Sequence, residues 1–157
     1  MIKIYSDGGC SGNPGPGGWA YLIIRDEEGG VRSEEILAEK WGAEESTTNN
    51  RMELRAVIES LNALKSMDIQ PKKAALYTDS QYVQKGMTEW MRDWKKRGWK
   101  TSDKKPVKNQ DLWLCLDALA AELDIEWIWV KGHAGNKYNE HCDFLTQKAI
   151  ASINSKN

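Results

Sequence analysis

Two short apolar runs, AALYT at residues 74–78 and EWIWV at residues 126–130, limit the folds open to this chain of 157 residues. Each run has the length of a strand and follows a segment long enough to form a helix. Strands joined through a helix pair in parallel, and continuous apolar runs are typical of strands that are buried on both faces. The two runs therefore predict crossover units in an α/β sheet, with both strands buried on both faces.

The first third of the chain has a different pattern. Strands are indicated by IKIY at residues 2–5, WAYLIIR at 19–25 and a weaker segment at about 31–41, with glycine-rich or acidic turns between them. Their closeness in sequence predicts an antiparallel meander. From Thr48 to about Met67, apolar residues recur at intervals of three and four, which predicts an amphipathic helix. The apolar positions are Leu54, Val57, Ile58, Leu61 and Leu64.

The remaining segments predict further helices. One begins at Ser80, another lies near Trp90, DLWLCLDALAAEL forms a third at 111–123, and a last helix begins near Asn139. Three strands followed by alternating helices and strands indicate a mixed α/β fold. A chain of this length can bury a core without disulfides or metals, so we expect one domain over residues 1–157.

The termini and cysteines indicate the cellular setting. The N-terminus MIKIYSDGG has no charged leader followed by an apolar region, and no window approaches 18 consecutive apolar residues. We therefore expect neither a signal peptide nor a membrane span. Cys10, Cys115 and Cys142 are odd in number and unrelated in spacing, which fits reduced thiols better than disulfides. The expectation is a cytoplasmic protein, which we take to be a monomer.

Positive charge is concentrated in KKRGWKTSDKKPVKN, residues 95–109, which we name the basic arm. It contains seven Lys or Arg and one acid, Asp103, although the whole chain has a formal charge of only −1. The rest of the chain therefore carries about −7. Such asymmetry indicates a polyanionic partner for the arm, the alternative being a solvated loop whose lysines only maintain solubility.

Two aspartates lie at predicted strand ends. Asp7 ends the first strand and Asp79 ends the fourth, and ligands bind open α/β sheets beyond the carboxyl ends of their strands. If the strands are neighbours, the two carboxylates are neighbours as well. They would repel one another unless a cation neutralised them, and hard oxygen ligands favour Mg²⁺ or Mn²⁺. The pair therefore predicts a metal site.

Two further acids have alternative explanations. Glu53, in the first turn of the long helix, has the spacing of a capping-box glutamate that answers Asn50. The sole role of Asp143, early in the last helix, could be a favourable interaction with the helix dipole. Each explanation serves one acid at a time, whereas a metal site accounts for all four together.

The segments that contain these acids resemble the motifs of bacterial type 1 ribonuclease H. They are SDGGCSGNPGPGGWA around Asp7, TTNNRMEL around Glu53, YTDSQYV around Asp79, and VKGHAGNKYNEHCD, which ends in Asp143. The resemblance extends from residue 2 to about residue 150 and includes the basic arm. It implies a five-stranded mixed sheet of order 3-2-1-4-5 flanked by helices. It also implies hydrolysis of the RNA strand of RNA–DNA hybrids, leaving 5′-phosphate and 3′-hydroxyl ends.

The same resemblance assigns the catalytic residues. Asp7 would bridge two Mg²⁺ ions, with Mn²⁺ as a substitute, while Glu53 and Asp79 complete one ion site and Asp143 helps to ligate the other. Two ions roughly 3.5 to 4 Å apart can activate a water and neutralise the phosphoryl oxygens. His133 matches the family histidine that moves protons or assists product release, work that suits an imidazole near neutral pH. Without the resemblance it would be interpreted as an ordinary surface-loop histidine.

Substrate contacts are implied by similarity as well. RNA is distinguished from DNA by its 2′-hydroxyl and by duplex shape, which short polar side chains and close backbone approach can detect. The positions that match hybrid contacts are Cys10, Ser11, Asn13, Asn49, Asn50 and Gln81. Thr48 and Asn109 match a phosphate pocket for the DNA strand, and Trp90 is predicted to face DNA while Trp94 packs. In the basic arm the predicted phosphate contacts are Lys95, Lys96, Arg97 and Lys100.

Two positions depart from the family pattern. Ser46 stands where the family usually has a basic residue of the phosphate pocket, so a weaker grip on the DNA strand is expected. Thr146 stands where a Leu-Ala pair is more common, and we expect it to affect the packing of the last helix without touching the metal ligands.

Two other functions would account for part of the sequence. A module that binds hybrids without cutting them would keep the basic arm but would not need four metal-ligand acids. Another nuclease of the wider ribonuclease H-like superfamily, such as an exonuclease or a resolvase, would share the strand-end aspartates but lack TTNNRMEL and KKRGWK, both of which are present. A hybrid-cleaving endonuclease is the function that the sequence favours.

Overall fold

A computed structural model of the chain describes residues 1–26, 34–132 and 136–154. The strands within these ranges are β1 (Ile2–Cys10), β2 (Gly15–Asp26), β3 (Glu34–Thr47), β4 (Lys73–Thr78) and β5 (Asp124–Trp129). The α-helices are α1 (Asn49–Ser66), α2 (Gln81–Lys85), α3 (Met91–Lys96), α4 (Gln110–Ala121) and α5 (Lys137–Asn154). A π-helical segment, Gly86–Trp90, joins α2 to α3.

The strands form one mixed sheet with the order β3-β2-β1-β4-β5. β1 pairs with β2 and β2 pairs with β3 in antiparallel fashion, whereas β4 is parallel to both β1 and β5. These pairings confirm the predicted meander, the two crossover connections and the order 3-2-1-4-5. β1 therefore lies at the centre of the sheet, where the chain direction of its two neighbours differs.

The prediction that both apolar runs are buried on both faces is right for β4 and wrong for β5. Ala74, Ala75 and Leu76 of β4 are buried, but β5 is an edge strand and Trp129 is 39% exposed. The prediction fails for β5 because its apolar character comes largely from tryptophan, which combines an apolar ring with a polar N–H. The Trp129 Nε1 donates a hydrogen bond to the Asp79 carbonyl at 3.1 Å. β3, the other edge, extends to Thr47, six residues beyond the predicted end.

Two apolar layers enclose the sheet. On one face α1 and α4 cover the strands, and all five predicted core positions of α1 are buried. On the other face α5 packs against β1 and β2, and its Cys142 and Leu145 share one buried cluster with Leu22 and Ile24 of β2. The 3-and-4 spacing of apolar residues in α1 thus predicted its buried face correctly.

The starts of α1 and α5 are capped by polar side chains. α1 is capped by Thr48, whose hydroxyl oxygen accepts a hydrogen bond from the Arg51 N–H at 3.3 Å. α5 begins two residues before the predicted Asn139, because the Asn136 side chain accepts hydrogen bonds from the Tyr138 and Asn139 N–H groups. Among the described residues, no helix has both the length and the apolar character needed to cross a bilayer.

Candidate active site

The register of β1 and β4 brings two predicted site residues together. Tyr5 pairs with Tyr77, and their rings stack with centroids 4.9 Å apart. Asp7 and Asp79 each follow two residues later, and side chains two residues apart in a strand point to the same face. The parallel pairing therefore places both carboxylates at the carboxyl edge of the sheet.

Glu53 reaches this edge from α1 because Gly8 allows a close approach. A Cβ atom added at Gly8 would lie 2.3 Å from the Met52 carbonyl carbon and 2.5 Å from the Glu53 nitrogen. No side chain fits in that space, so α1 can lie against the backbone of β1. The Gly8 N–H faces the carboxyls of Asp7 and Glu53 and lowers the pKa of each.

Asp7, Glu53 and Asp79 form a compact carboxylate cluster. One ligand oxygen from each lies within 4.8 Å of those of the other two. Asp143, the fourth predicted ligand, is outside this three-residue group, although its charge contributes to the electrostatics of Asp7 and Glu53. The structure therefore brings three of the four acids into direct proximity and leaves the fourth beside them.

Burial and mutual repulsion disfavour the ionised forms of the cluster. Asp7 is only 7% exposed, and desolvation followed by the charge of Asp79 raises the pKa of its carboxyl to about 7. Desolvation and the charges of Asp7 and Asp79 raise the pKa of Glu53 well above its usual value. The Glu53 Oε2 is buried and has no hydrogen-bond partner among the described residues. A bound cation would supply the missing partner and the opposing charge.

The alternative explanations for two of the acids do not fit the helices. α1 is capped by Thr48, Asn50 lies inside the helix, and Glu53 is in the second turn, so the proposed capping box is wrong. α5 begins at Lys137, which places Asp143 beyond the first turn, where the helix dipole is felt most.

The predicted histidine falls outside the described residues. His133 is in the short segment 133–135, between the two last described ranges. Gly132, the residue that precedes it, lies beside the cluster: a Cβ atom added there would be 3.2 Å from the Asp79 Oδ2.

Thr146 contradicts the expectation that it stays clear of the metal ligands. Its side chain is fully buried, and its hydroxyl faces the Asp7 carboxyl, whose pKa it lowers. The reason is the close packing of α5 on β1, since α5 carries Thr146 directly over the end of the strand.

Most of the predicted hybrid contacts are exposed, and they belong to the loop after β1 and to the starts of α1 and α2. The exposed positions are Ser11, Asn13, Asn49, Asn50 and Gln81. Asn13 Oδ1 accepts a hydrogen bond from the Asn49 N–H at 3.2 Å, which joins the glycine-rich loop to the start of α1. Cys10 is half-buried, and its Sγ lies 3.2 Å from the carbonyl oxygens of both Gly15 and Thr47, either of which can accept the thiol proton.

The two predicted phosphate-pocket residues are connected through Arg51. Thr48 accepts a hydrogen bond from the Arg51 N–H, and the Arg51 Nη1 donates to the Asn109 Oδ1 at 3.3 Å. Arg51 also forms a two-bond contact with Asp111, at 3.0 and 2.8 Å. Ser46, the departure from the family pattern, is exposed at the end of β3. Arg51 thus gives this region a cation, although Asp111 partly offsets its charge.

The charged side chains of the basic arm are exposed, while its backbone is held to the fold by packing and hydrogen bonds. All seven of its Lys and Arg residues are exposed. Val107 is buried in the core, and its N–H donates to the Trp99 carbonyl at 3.2 Å, while Thr101 and Lys105 are bonded across the turn. Lys95 pairs with Asp117 at 2.6 Å. The arm therefore presents its cations from a folded loop.

The tryptophans near the arm form a connected cluster. Trp94 packs edge-on against the buried Trp113, with ring centroids 5.2 Å apart, as predicted for a packing residue. Trp90 is half-buried between Tyr82 and Trp94, at centroid distances of 5.8 and 5.9 Å. Part of the Trp90 ring therefore stays accessible.

The sequence profile of the RNase H family matches residues 1–151. The chain belongs to the RNase H family. It is 52% identical over 162 residues to the protein named Ribonuclease H from Treponema denticola, covering 97% of this chain and 98% of that one. A second relative of that name, from Cupriavidus metallidurans, is 53% identical over 154 residues, a match that covers 98% of this chain and 98% of that one.

Solved structures agree with this assignment. LC9-RNase H1, described as a type 1 RNase H with the type 2 active-site motif, superposes with a TM-score of 0.85 at 35% identity, covering 97% of this chain and 72% of that chain. LC11-RNase H1 in complex with an RNA/DNA hybrid shares the fold, with a TM-score of 0.71 at 24% identity over 97% of this chain and 98% of that chain. As a member of the RNase H family, the chain is a metal-dependent endoribonuclease.

Three contributors to this RNase H site were not identified from the sequence. Gly8 and Arg51 lie inside motifs that were assigned as wholes, so nothing singled out either residue. A glycine next to a candidate ligand is a usable signal, because it marks close backbone approach. Thr146 did depart from the family pattern, but its hydroxyl could be paired with Asp7 only once the packing of α5 on β1 was known.

Gly8→Ala is expected to impair both folding and cleavage. The added methyl would collide with backbone atoms of α1, so we expect a loss of roughly 1 to 3 kcal/mol in the free energy of unfolding. Displacement of Glu53 should lower the metal-dependent cleavage rate roughly tenfold. Urea unfolding and single-turnover cleavage measure the two effects.

Gly9→Ala is the matched control for that variant. A Cβ atom at Gly9 would meet only side-chain methyl groups, at 3.5 and 4.0 Å, which are ordinary contacts. Its free energy of unfolding should stay close to that of the wild type. Equal behaviour of the Gly8 and Gly9 variants would contradict the role given to Gly8.

Proposed function

We propose that this chain hydrolyses the RNA strand of RNA–DNA hybrids with two Mg²⁺ ions, leaving 5′-phosphate and 3′-hydroxyl ends. The observation that carries the proposal is the carboxylate cluster at the carboxyl edge of β1 and β4. One oxygen from each of its three carboxylates lies within 4.8 Å of the other two, and one buried oxygen of Glu53 has no hydrogen-bond partner among the described residues. Membership of the RNase H family supports the reaction class.

The cluster suits hard divalent cations. Carboxylate oxygens are the ligands that Mg²⁺ and Mn²⁺ prefer, and the described members of the cluster include no thiolate or imidazole that would favour a softer metal. Asp7, Glu53 and Asp79 would hold one ion, and Asp7 together with Asp143 would hold the second. Bound ions of this kind neutralise charge on the phosphoryl oxygens and lower the pKa of a coordinated water.

The protein's own residues would bind and orient the substrate. The exposed polar side chains of the glycine-rich loop and the start of α1 lie on either side of the Asn13–Asn49 hydrogen bond and could contact the minor groove of a hybrid. Thr48, Arg51 and Asn109 offer a joined set of donors for a phosphate of the DNA strand. The basic arm would add electrostatic attraction beyond the active site. The hybrid-bound LC11-RNase H1, which shares this fold, provides a precedent for such a complex.

A non-cutting hybrid-binding module is the weaker alternative. It would use the polar surface and the basic arm, but it would gain nothing from three carboxylates whose burial and repulsion raise the pKa of Asp7 to about 7. Such a cluster costs folding free energy without a cation and is therefore typical of a functional site.

His133 is proposed to assist turnover rather than to hold metal. Its sequence neighbour Gly132 lies beside Asp79. His133→Ala should lower the cleavage rate by roughly 10²-fold, within the range of positioned proton transfer, and leave hybrid affinity nearly unchanged. The rate should be compared from pH 6 to 9, with His141→Ala as the control, because His141 pairs with Glu39 on β3 instead. An unchanged rate across that range would return His133 to an ordinary surface residue.

The proposed function is tested by the metal dependence and the ends of the products. A hybrid with a labelled RNA strand is incubated in Mg²⁺, in Mn²⁺ and in EDTA, and the products are treated with phosphatase or ligase to identify their ends. We expect cleavage in either metal, none in EDTA, and 5′-phosphate with 3′-hydroxyl termini. Cleavage in EDTA, or a 2′,3′-cyclic phosphate, would contradict the proposed mechanism.

A further inference from the structure

Thr146 is held rigidly above the end of β1. Its side chain is fully buried, and its Cγ2 would lie 3.5 Å from a Cβ atom added at Gly9. Its carbonyl oxygen would lie 2.8 Å from a Cβ atom added at Gly18 of β2. The absence of a side chain at Gly18 lets α5 approach the sheet closely, and Thr146 then lies in van der Waals range of Gly9, so the position of Thr146 relative to β1 is fixed by packing.

The Thr146 hydroxyl has two neighbours and only one proton to donate. Its Oγ1 donates to the carbonyl oxygen of Cys142, one helical turn earlier, at 2.9 Å, and it also faces the Asp7 carboxyl, whose pKa it lowers. A threonine hydroxyl carries one donor and two acceptor lone pairs. When Asp7 is ionised, both neighbours are acceptors, and the carboxylate is the stronger because bonds to ionised groups are stronger.

The surroundings of Asp7 make this donor significant. Glu53, Asp79 and Asp143 all place negative charge near it. A carboxylate among other carboxylates is pushed away from them unless donors hold it. The Gly8 N–H and the Thr146 hydroxyl both lower the pKa of Asp7, and of the two Thr146 acts through its side chain.

We propose that Thr146 is a positioning residue that holds the Asp7 carboxylate in the orientation required for divalent metal binding. The proposal rests on the metal site proposed above and adds to it a partner on α5. Outer hydrogen bonds to metal ligands fix their orientation, and removing one typically weakens metal affinity by about 10 to 100-fold. A role in helix packing alone would depend on the shape of the side chain and not on its hydroxyl.

The test separates hydroxyl from shape. Thr146→Val keeps the branched shape and removes the hydroxyl, whereas Thr146→Ser keeps the hydroxyl and removes a methyl. Mn²⁺ binding to the substrate-free protein is measured by calorimetry and by electron paramagnetic resonance. Ser60→Ala is the control, since Ser60 is a fully buried helix residue whose hydroxyl donates only to the Val57 carbonyl, at 2.7 Å.

Thr146→Val should bind Mn²⁺ roughly 10 to 100-fold more weakly than the wild type, and Thr146→Ser and Ser60→Ala should stay within about threefold of it. If Thr146→Val does not fold, Thr146→Ala replaces it with the same expectation. Wild-type affinity in the variant without the hydroxyl overturns the proposal, as does a loss shared equally by Thr146→Ser. Failure of the wild type itself to bind Mn²⁺ overturns the metal site and with it this inference.

Discussion

Asp7→Asn is expected to abolish hybrid cleavage while leaving a folded protein. Asp7 is the member of the cluster that would contact both ions, so its loss removes several kcal/mol of charge stabilisation. Since each 1.36 kcal/mol is a factor of ten, the rate should fall by at least about 10³-fold. Single-turnover cleavage in Mg²⁺ measures this, and Asp79→Asn should behave alike. An active Asp79→Asn protein would contradict the proposed cluster.

The same variant should be more stable than the wild type at neutral pH without metal. The pKa of Asp7 is raised from 3.8 to about 7 in the folded state, so between these values the folded protein binds more protons than the unfolded chain. Wild-type stability therefore falls as pH rises from about 4 to about 7. Asparagine does not titrate, so the advantage of the variant should grow over that window to roughly 1 to 4 kcal/mol.

Urea unfolding in EDTA at pH 4.5 and pH 7.5 checks this second effect. The stability difference between Asp7→Asn and the wild type should be small at the lower pH and largest at the higher one. A constant difference, or a variant without cooperative unfolding, would mean that Asp7 stabilises the fold and is not a strained member of an acidic cluster.

Neutralising Lys95, Lys96, Arg97 and Lys100 is expected to weaken hybrid binding by roughly 10² to 10³-fold at low salt. The arm is exposed, carries a net positive charge, and belongs to a chain that is otherwise acidic. The carboxylates that perform the chemistry are elsewhere, so KM should rise much more than kcat falls. Binding is measured in Ca²⁺, which is chosen to suppress cleavage, at several salt concentrations.

The salt dependence identifies the cause. Each lost phosphate contact should flatten the plot of log affinity against log salt by about 0.7 to 0.9 units. Lys95 already pairs with Asp117, so restoring Lys95 alone to the four-site variant should recover little of the hybrid affinity. The salt plot of the four-site variant is therefore expected to flatten by roughly 2 to 3 units in total. The control neutralises four exposed lysines outside the arm: Lys40, Lys65, Lys73 and Lys148. Parallel salt plots for the wild type and the arm variant would mean that the arm is a solvated loop.

Local patterns predicted the fold well where one face of an element is buried. The spacing in α1 predicted its buried face, and the positions of Asp7 and Asp79 at strand ends predicted that they meet. The pattern was less informative at the sheet edges. The apolar run of β5 predicts a buried strand because tryptophan counts as apolar, and the polar end of β3 has no periodic signal although it still pairs with β2.

The fine structure of the site depended on contacts between distant segments. Glu53 approaches Asp7 only because Gly8 lacks a side chain, and Thr146 reaches Asp7 only because α5 lies tightly on β1. Arg51 joins Thr48 to Asn109, and Asn109 lies 58 residues after Arg51 in the chain. Such pairings follow from the three-dimensional packing of elements and have no local signature in the sequence.

The central claim is that the cluster cuts the RNA strand of a hybrid. Its most direct test uses one nucleotide sequence prepared as RNA–DNA, RNA–RNA and DNA–DNA duplexes, with each strand labelled in turn, incubated with the wild-type protein in Mg²⁺. We predict internal cleavage of the RNA strand in the RNA–DNA duplex, with its DNA strand and both other duplexes intact. Tight hybrid binding without cleavage, or equal cleavage of the three duplexes, would contradict the claim.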